Sequence, residues 1–403
     1  MLMSVAEHIR FNRMELAGSL GDLGTLLPIA IAMVLFNGID PPGLFFSIGV
    51  FYVLAGLYFG MTVPVQPMKA IGAYAIATGM SAGEVQASTL LMGVMLLVIG
   101  ITGAIDLIRK VTPKSVIRGV QLATGALLIA SGMKFVIGTS KLQMMQHAVE
   151  PYLTLQSLGP IPIGMVLGAI GGLITLLLLD NKKLPAALVI IAGGFLIGLT
   201  MGVSIAPGSW SFALKLPDVM PYGFPDRIDF TFALFALVLP QLPMTLGNAV
   251  LAYTDLAHKY FRQGSGRLTN RKACVSMALA NFFSFILGGM PLCHGAGGLA
   301  AHYRFGARTA GSNLIVGILF VVLAILLGSH IMTILKLLPM SLLGVLLVFA
   351  GAQLTLTVMD LDDRKDYFVA MLIFGITLAS NLAAGFIIGM LVAWLLKWEK
   401  LSI

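Results

Sequence analysis

Apolar residues run along this chain in long blocks that neither alternate like a half-buried strand nor leave the polar stripe of a surface helix. A block of about 20 such residues, coiled as a helix, matches the hydrocarbon thickness of a bilayer. Glycine, proline and charge clusters divide the blocks into fourteen segments, near 15–36, 43–61, 65–79, 84–106, 115–137, 160–180, 184–204, 229–254, 273–288, 293–309, 311–329, 331–353, 366–380 and 381–399. Those at 65–79 and 293–309 are short and rich in Gly and Pro, so they do not read as continuous spans. The pattern predicts an all-α polytopic membrane protein.

Composition strengthens this reading. Residues AVILMFWYC make up 58% of the 403 positions and charged residues only 10%, against about 25% in a soluble domain. At roughly 20 residues per span plus short loops, little is left for a large extramembrane domain. A receptor ectodomain or fused soluble enzyme is therefore excluded. The net charge of +8 accompanies no basic helix and no basic run interleaved with aromatics, so a nucleic-acid partner is not expected. Cys274 and Cys293 both lie in apolar stretches and form no metal motif; no cofactor and no resident metal are expected. The N-terminus lacks a compact apolar run ending in a small-residue cleavage site, so no removable signal peptide is read there.

Charge distribution orients the spans. With fourteen crossings and the N-terminus inside, the cytoplasmic side receives Arg10, Arg13, Arg109, Lys110, Lys114, Arg118, Lys182, Lys183, Lys259, Arg262, Arg267, Arg271, Lys272, Arg304, Arg308, Arg364, Lys365, Lys397 and Lys400. That is most of the Lys and Arg, as the positive-inside rule requires. Both termini are expected in the cytoplasm, the membrane being the plasma (inner) membrane if the protein is bacterial.

The halves resemble each other weakly. Pro64 aligns with Pro291, and Pro113-Lys-Ser-Val-Ile-Arg-Gly119 resembles Pro339-Met-Ser-Leu-Leu-Gly344 with one residue dropped. Gly18, Asp22 and Thr25 map onto Gln241, Thr245 and Asn248, each set having the spacing of one helix face. An odd number of segments per half makes the repeats inverted. The expected organisation is a first seven-segment repeat over 1–204, an extracytoplasmic connection over 205–228 and a second repeat over 229–403.

Ionisable groups inside the membrane are costly and therefore candidates for function. Asp22 lies in an apolar segment beside glycines that admit close approach; it reads as a coupling-ion carboxylate, or alternatively as a helix cap or partner of a structural lysine. In Val63-Pro-Val-Gln-Pro-Met-Lys69-Ala, two prolines forbid regular helix, so an extended stretch through Pro67 should pass into a half-helix. The N–H groups of Met68, Lys69 and Ala70 would then sit at a buried, anion-binding helix start. Pro291 and the run His294-Gly295-Ala296-Gly297-Gly298 offer a counterpart in segment 10. Glycine-driven helix packing and a snorkelling Lys69 are the plainer alternatives. In segment 8, Gln241, Thr245 and Asn248 are neutral hydrogen-bonding groups suited to a ligand that must be released, or else to interhelical contacts.

Four stretches, GDLGTLLP from Gly21, VPVQPMKAI from Val63, LPQLPMTLGN from Leu239 and MPLCHGAGGLAAHYRFGART from Met290, together resemble the molybdate transporter family, a branch related to the sulfate permeases. The resemblance implies seven plus seven inverted repeats, with segments 1–4 and 8–11 forming a core and 5–7 and 12–14 a gate. It places substrate between the half-helices of segments 3 and 10. Few residues follow Lys397, so the regulatory STAS domain of many sulfate permeases is not expected.

These readings converge on secondary active uptake of a tetrahedral oxyanion, molybdate first and sulfate second. Backbone N–H groups of Met68, Lys69, Gly295, Ala296 and Gly297 are expected to hold it, with Thr25, Gln66, Gln241, Asn248 and His294 tuning the site. Two charges entering against an inside-negative potential oppose uptake by about 4.6 kcal/mol per 100 mV. A proton or cation should accompany them, carried by Asp22, with His294 second. Partners are thus the oxyanion, protons and the bilayer, and a homodimer is compatible with them. A nucleobase permease is disfavoured by the lack of an acid in segment 8, a passive anion channel shares the fold, and no HExxH or GxSxG motif supports an enzyme.

Overall fold

The computed structural model describes residues 9–105, 111–179, 181, 184–202, 214–261, 265–328 and 330–397. Arg109, Lys110, Lys182, Lys183, Arg262 and Lys400 lie outside these residues, as does part of the 205–228 connection. The described chain is mostly helical. In order, it forms α1 (Arg13–Ser19), α2 (Leu23–Asn37), α3 (Pro41–Phe59), β1 (Gln66–Pro67), α4 (Lys69–Thr78), α5 (Ala82–Thr102), α6 (Lys114–Ile137) and α7 (Lys141–Met145). After a small hairpin of β2 (Ser157–Leu158) and β3 (Ile161–Pro162) come α8 (Ile163–Leu178), α9 (Ala186–Met201) and a long helix α10 (Arg227–Tyr260). Then follow α11 (Asn270–Ile286), β4 (Leu292–Cys293), α12 (Ala296–Phe305), α13 (Ala310–Leu327), α14 (Ile331–Leu335), α15 (Met340–Thr355), α16 (Arg364–Ala379) and α17 (Leu382–Leu395). Among the described residues, six helices are long and apolar enough to cross a bilayer, and the pair α1–α2, bent by 41°, would make a seventh.

Three segments depart from the sequence reading. The segment expected at 15–36 breaks at Leu20–Asp22, so Gly18, Asp22 and Thr25 do not share one straight helix face. Gly18 sits so close to Ala307 that an added Cβ would be 2.2 Å from the Ala307 nitrogen, which ties α1 to the chain beyond α12. The segment expected at 331–353 instead begins its main helix at Met340, because Pro339 stands as the extended N-cap. In α10, Pro240 and Pro243 supply no N–H to the helical ladder, and the backbone widens into π turns at Leu234–Val238 and Thr245–Ala252 on either side.

Close packing rests on paired glycines. A Cβ at Gly49 of α3 would meet the Gly317 carbonyl of α13 at 2.6 Å, and one at Gly317 would meet the Gly49 carbonyl at 2.7 Å. Gly125 with Gly351, and Gly132 with Gly344, make the same reciprocal contact between α6 and α15. A two-residue antiparallel ladder joins β1 to β4, with Gln66 opposite Cys293 and Pro67 opposite Leu292. The half-helices α4 and α12 leave directly from it.

The loop before α8 has a defined role. Glu150 is fully buried and accepts the Met340 and Ser341 N–H groups, both at 2.8 Å, so a carboxylate caps the start of α15. Replacing Glu150 by Gln turns one acceptor into a donor and should lower stability by about 1–3 kcal/mol. Thermal unfolding of the detergent-solubilised protein reads this directly, and an unchanged midpoint would refute the cap.

Candidate functional site

Prolines set the entrance to both half-helices. Pro64, Pro67 and Pro291 hold the chain extended, and helix begins only at Lys69 and at Ala296. The two helix starts then differ in what fills them. At α4 the protein supplies its own acceptors: Met68 N–H donates to the Pro291 carbonyl at 3.0 Å, and Gln241 Oε1 accepts from Ala70 N–H at 2.8 Å and Ile71 N–H at 3.3 Å. The Met68 N–H expected to bind substrate is therefore engaged, as is that of Ala70. At α12 the N–H groups of Ala296, Gly297 and Gly298 donate to no group among the described residues. A Cβ on Gly297 would meet nothing within 4 Å, so open space lies against this positive helix end.

Asp22 is buried beside the same helix start. Its Oδ1 accepts from Gln66 Nε2 at 2.7 Å, while Oδ2 is buried without a partner. Oδ2 stands where a Cβ on Gly298 would be 2.4 Å away. Gln66 is thus fixed between Asp22 and the Gly295–Gly298 backbone, since a Cβ on Gly295 would lie 2.1 Å from its Oε1.

Two cavities meet here. One of about 340 Å³ is lined by Thr25, Gln66, Lys69, Gln241, Thr245, Asn248, Cys293 and Gly297 and runs to Arg118 and Asp360. The other, of about 240 Å³, is lined by Asp22, Thr25, Gln66, Lys69 and Gly297 and runs to Asn181 and Arg304. Thr25, Gln66, Lys69 and Gly297 belong to both, so a single ammonium serves the junction. At the far ends of α2 and α6, Phe36 stacks on Phe135 with ring centroids 4.3 Å apart. That contact packs the side opposite Arg118.

His294 is elsewhere. Its Nδ1 lies 3.1 Å from the Pro64 carbonyl and its Nε2 3.2 Å from Ser276 Oγ, so the ring donates through Nδ1 and accepts through Nε2. Phe51 and Tyr253 pack on the imidazole, with centroids 5.0 and 5.1 Å away. Fully buried and satisfied on both nitrogens, His294 lines neither cavity. In this structure it braces the extended stretch before β1, apart from the cavity where it was expected to tune the anion or carry a proton. Met68, Gly295 and Ala296 also stay outside the cavity walls, although the Ala296 N–H belongs to the open helix start.

The family model for the "Molybdate transporter of MFS superfamily" matches residues 14–128 and 233–354, more than half of the chain and all of the site residues expected from the sequence. The chain belongs to the molybdate transporter family. Among its relatives, "Molybdate transporter 1" of Arabidopsis thaliana is 29% identical over 96% of this chain and 88% of that protein. "Molybdate transporter 1" of Chlamydomonas reinhardtii is 30% identical over 93% of this chain and 90% of that protein. Among solved structures, the transmembrane domain of a cyanobacterial bicarbonate transporter, BicA, shares the fold with a TM-score of 0.66 at 16% identity, covering 96% of this chain and 98% of that one. Murine Slc26a9, an anion transporter solved in its inward-facing state, gives a TM-score of 0.67 at 15% identity, covering 98% of this chain and 70% of that one.

Within this molybdate transporter family member, sequence reasoning missed the wall facing Lys69. Arg118, Gln121, Gln353, Thr357 and Asp360 complete the larger cavity. A signal was present: Gln353, Thr357 and Asp360 recur at helical spacing at the end of an apolar segment. By sequence alone Arg118 reads only as a cytoplasmic charge.

Proposed function

We propose that this protein is a secondary active transporter that takes up a tetrahedral oxyanion, molybdate first and sulfate second. The observation that carries the reading is the open start of α12, its free N–H groups at Gly297 and Gly298 facing Lys69 across the junction of two cavities. An oxyanion is an acceptor-only ligand, and this junction presents backbone N–H, ammonium, the Thr25 hydroxyl and the Asn248 amide. Gln241 joins indirectly, by capping α4.

The proposed architecture has fourteen spans in two inverted repeats, over 1–204 and 229–403, joined by 205–228. The packing supports it: α3 lies on α13 and α5 on α11, pairs that a two-fold axis exchanging the halves would interchange. Antiparallel pairing of β1 with β4 and of α6 with α15 fits the same axis, unlike the parallel relation between the two halves of an MFS protein. With both termini in the cytoplasm, the cavities open inward and Phe36–Phe135 closes the outer side. Alternating access then moves the core, α1–α5 with α10–α13, against the gate.

Asp22 is the proposed proton carrier, on the ground of its buried, unpartnered Oδ2 beside the site. Labelled molybdate uptake into proteoliposomes, competed by tungstate and sulfate with and without an inward proton gradient, tests the whole reading. Gradient-driven accumulation competed by tungstate is expected. Asp22→Asn should abolish the gradient's effect while leaving downhill exchange; gradient-driven accumulation unchanged in this variant would assign the coupling elsewhere.

A further inference from the structure

At the mouth of the larger cavity, Arg118 and Gln121 stand one helical turn apart on α6. Arg118 Nη1 donates to Gln121 Oε1 at 2.8 Å, and its Nη2 reaches Asp360 Oδ2 at 2.5 Å. The Thr357 hydroxyl lies 3.0 Å from the same Gln121 oxygen and 2.7 Å from the Leu354 carbonyl, its one proton having both within reach. With its oxygen claimed by donors, the Gln121 amide turns its NH₂ group away, and that group, on a residue lining the cavity, donates to no acceptor among the described residues. Arg118 Nε is likewise buried without a partner. Gln353, on the same wall and also lining the smaller cavity, is exposed to the open space.

The cluster therefore holds more donors than acceptors. Buried donors left unsatisfied are costly, and the ligand that satisfies them is one with acceptors only. Asp360 supplies a single carboxylate to this cluster, and it is half-exposed, at 55% of its side chain. A displaceable counter-ion of this kind keeps the guanidinium charged and oriented while no ligand is present. The cavity, at about 340 Å³, is far larger than the space one water needs and leaves room for an anion away from Lys69.

We propose that Arg118, with the Gln121 amide, Gln353 and Thr357, forms a second oxyanion station on the gate wall of the cavity, which the dianion occupies between Lys69 and the cytoplasm by displacing Asp360. This rests on the oxyanion-transport reading above. The station would shorten the step a dianion must make from the ammonium to bulk water, and the carboxylate would return to Arg118 as the anion leaves.

The test is the apparent KM for labelled molybdate presented at the cytoplasmic face of oriented proteoliposomes, in native protein, Arg118→Gln and Asp360→Asn. A station predicts opposite signs: Arg118→Gln raises KM about tenfold, the loss of one charge-assisted contact, and Asp360→Asn lowers it about threefold by removing the competitor. A merely structural ion pair predicts that both variants move KM alike, or neither does, and either result overturns the station. If Arg118→Gln does not fold, Asp360→Asn decides alone, since an unchanged or raised KM overturns it. Native protein that carries no oxyanion would instead overturn the transport reading, and the station with it.

Discussion

Replacing Lys69 by glutamine lowers oxyanion uptake about 100-fold while leaving the protein folded. Lys69 opens α4, lines both cavities and is the cation at their junction, so a substrate there cannot avoid it. A hydrogen bond to a charged group is worth about 1.5–3 kcal/mol, which is roughly tenfold to 150-fold in binding. A second effect adds to the first. With the ammonium gone, the Asp22 carboxylate faces the smaller cavity uncompensated, and repels a dianion. Glutamine keeps much of the stem and a donor, so thermal unfolding should shift little. Initial uptake rates within about threefold of native would remove Lys69 from the site.

Gly298→Ala should abolish uptake altogether. The new Cβ would stand 2.4 Å from Asp22 Oδ2, 2.7 Å from Pro64 Cβ and 2.8 Å from Gln66 Nε2. None of the three yields cheaply. Pro64 is a ring in an extended stretch whose carbonyl accepts from His294, and Asp22 and Gln66 are bound to each other. The methyl therefore pushes the half-helix start away from the carboxylate. The neighbouring Gly297→Ala is the control, because its Cβ meets nothing within 4 Å and enters open cavity. That variant keeps the native thermal midpoint and loses affinity only severalfold. Equal behaviour of the two alanine variants, in uptake and in melting, would show that the close packing around Gly298 does not shape the site.

Much of this site was legible in the chain itself, for local reasons. Pro64, Pro67 and Pro291 each fix φ and lack an N–H, and both half-helices begin a few residues after them. The glycines at 295, 297 and 298 announced a backbone open to close approach, and Gly297 meets the cavity. Less legible was each place where a partner comes from far along the chain. Gln241, about 170 residues from α4, fills that helix start, so the two half-helices are not equivalent anion sites. His294 resembled a functional histidine until Ser276 and the Pro64 carbonyl, 230 residues away, were found on its two nitrogens. Arg118 resembled a topological charge until Gln121 and Asp360 placed it in the cavity wall.

The chain alone determined the solvent, the spacing of its apolar segments, the two interrupted helices and the family resemblance. Each follows from properties that a residue carries with it: transfer free energy, fixed φ, a missing N–H. Only the tertiary structure decided which polar groups are left unpaired beside open space. Satisfaction of a hydrogen bond is a property of two groups, and across this fold the partners of α4, His294 and Arg118 come from segments 170 to about 240 residues apart. Asp22 Oδ2, the Gly297 N–H and Arg118 Nε stand out as candidates because packing gave their neighbours partners and left them without.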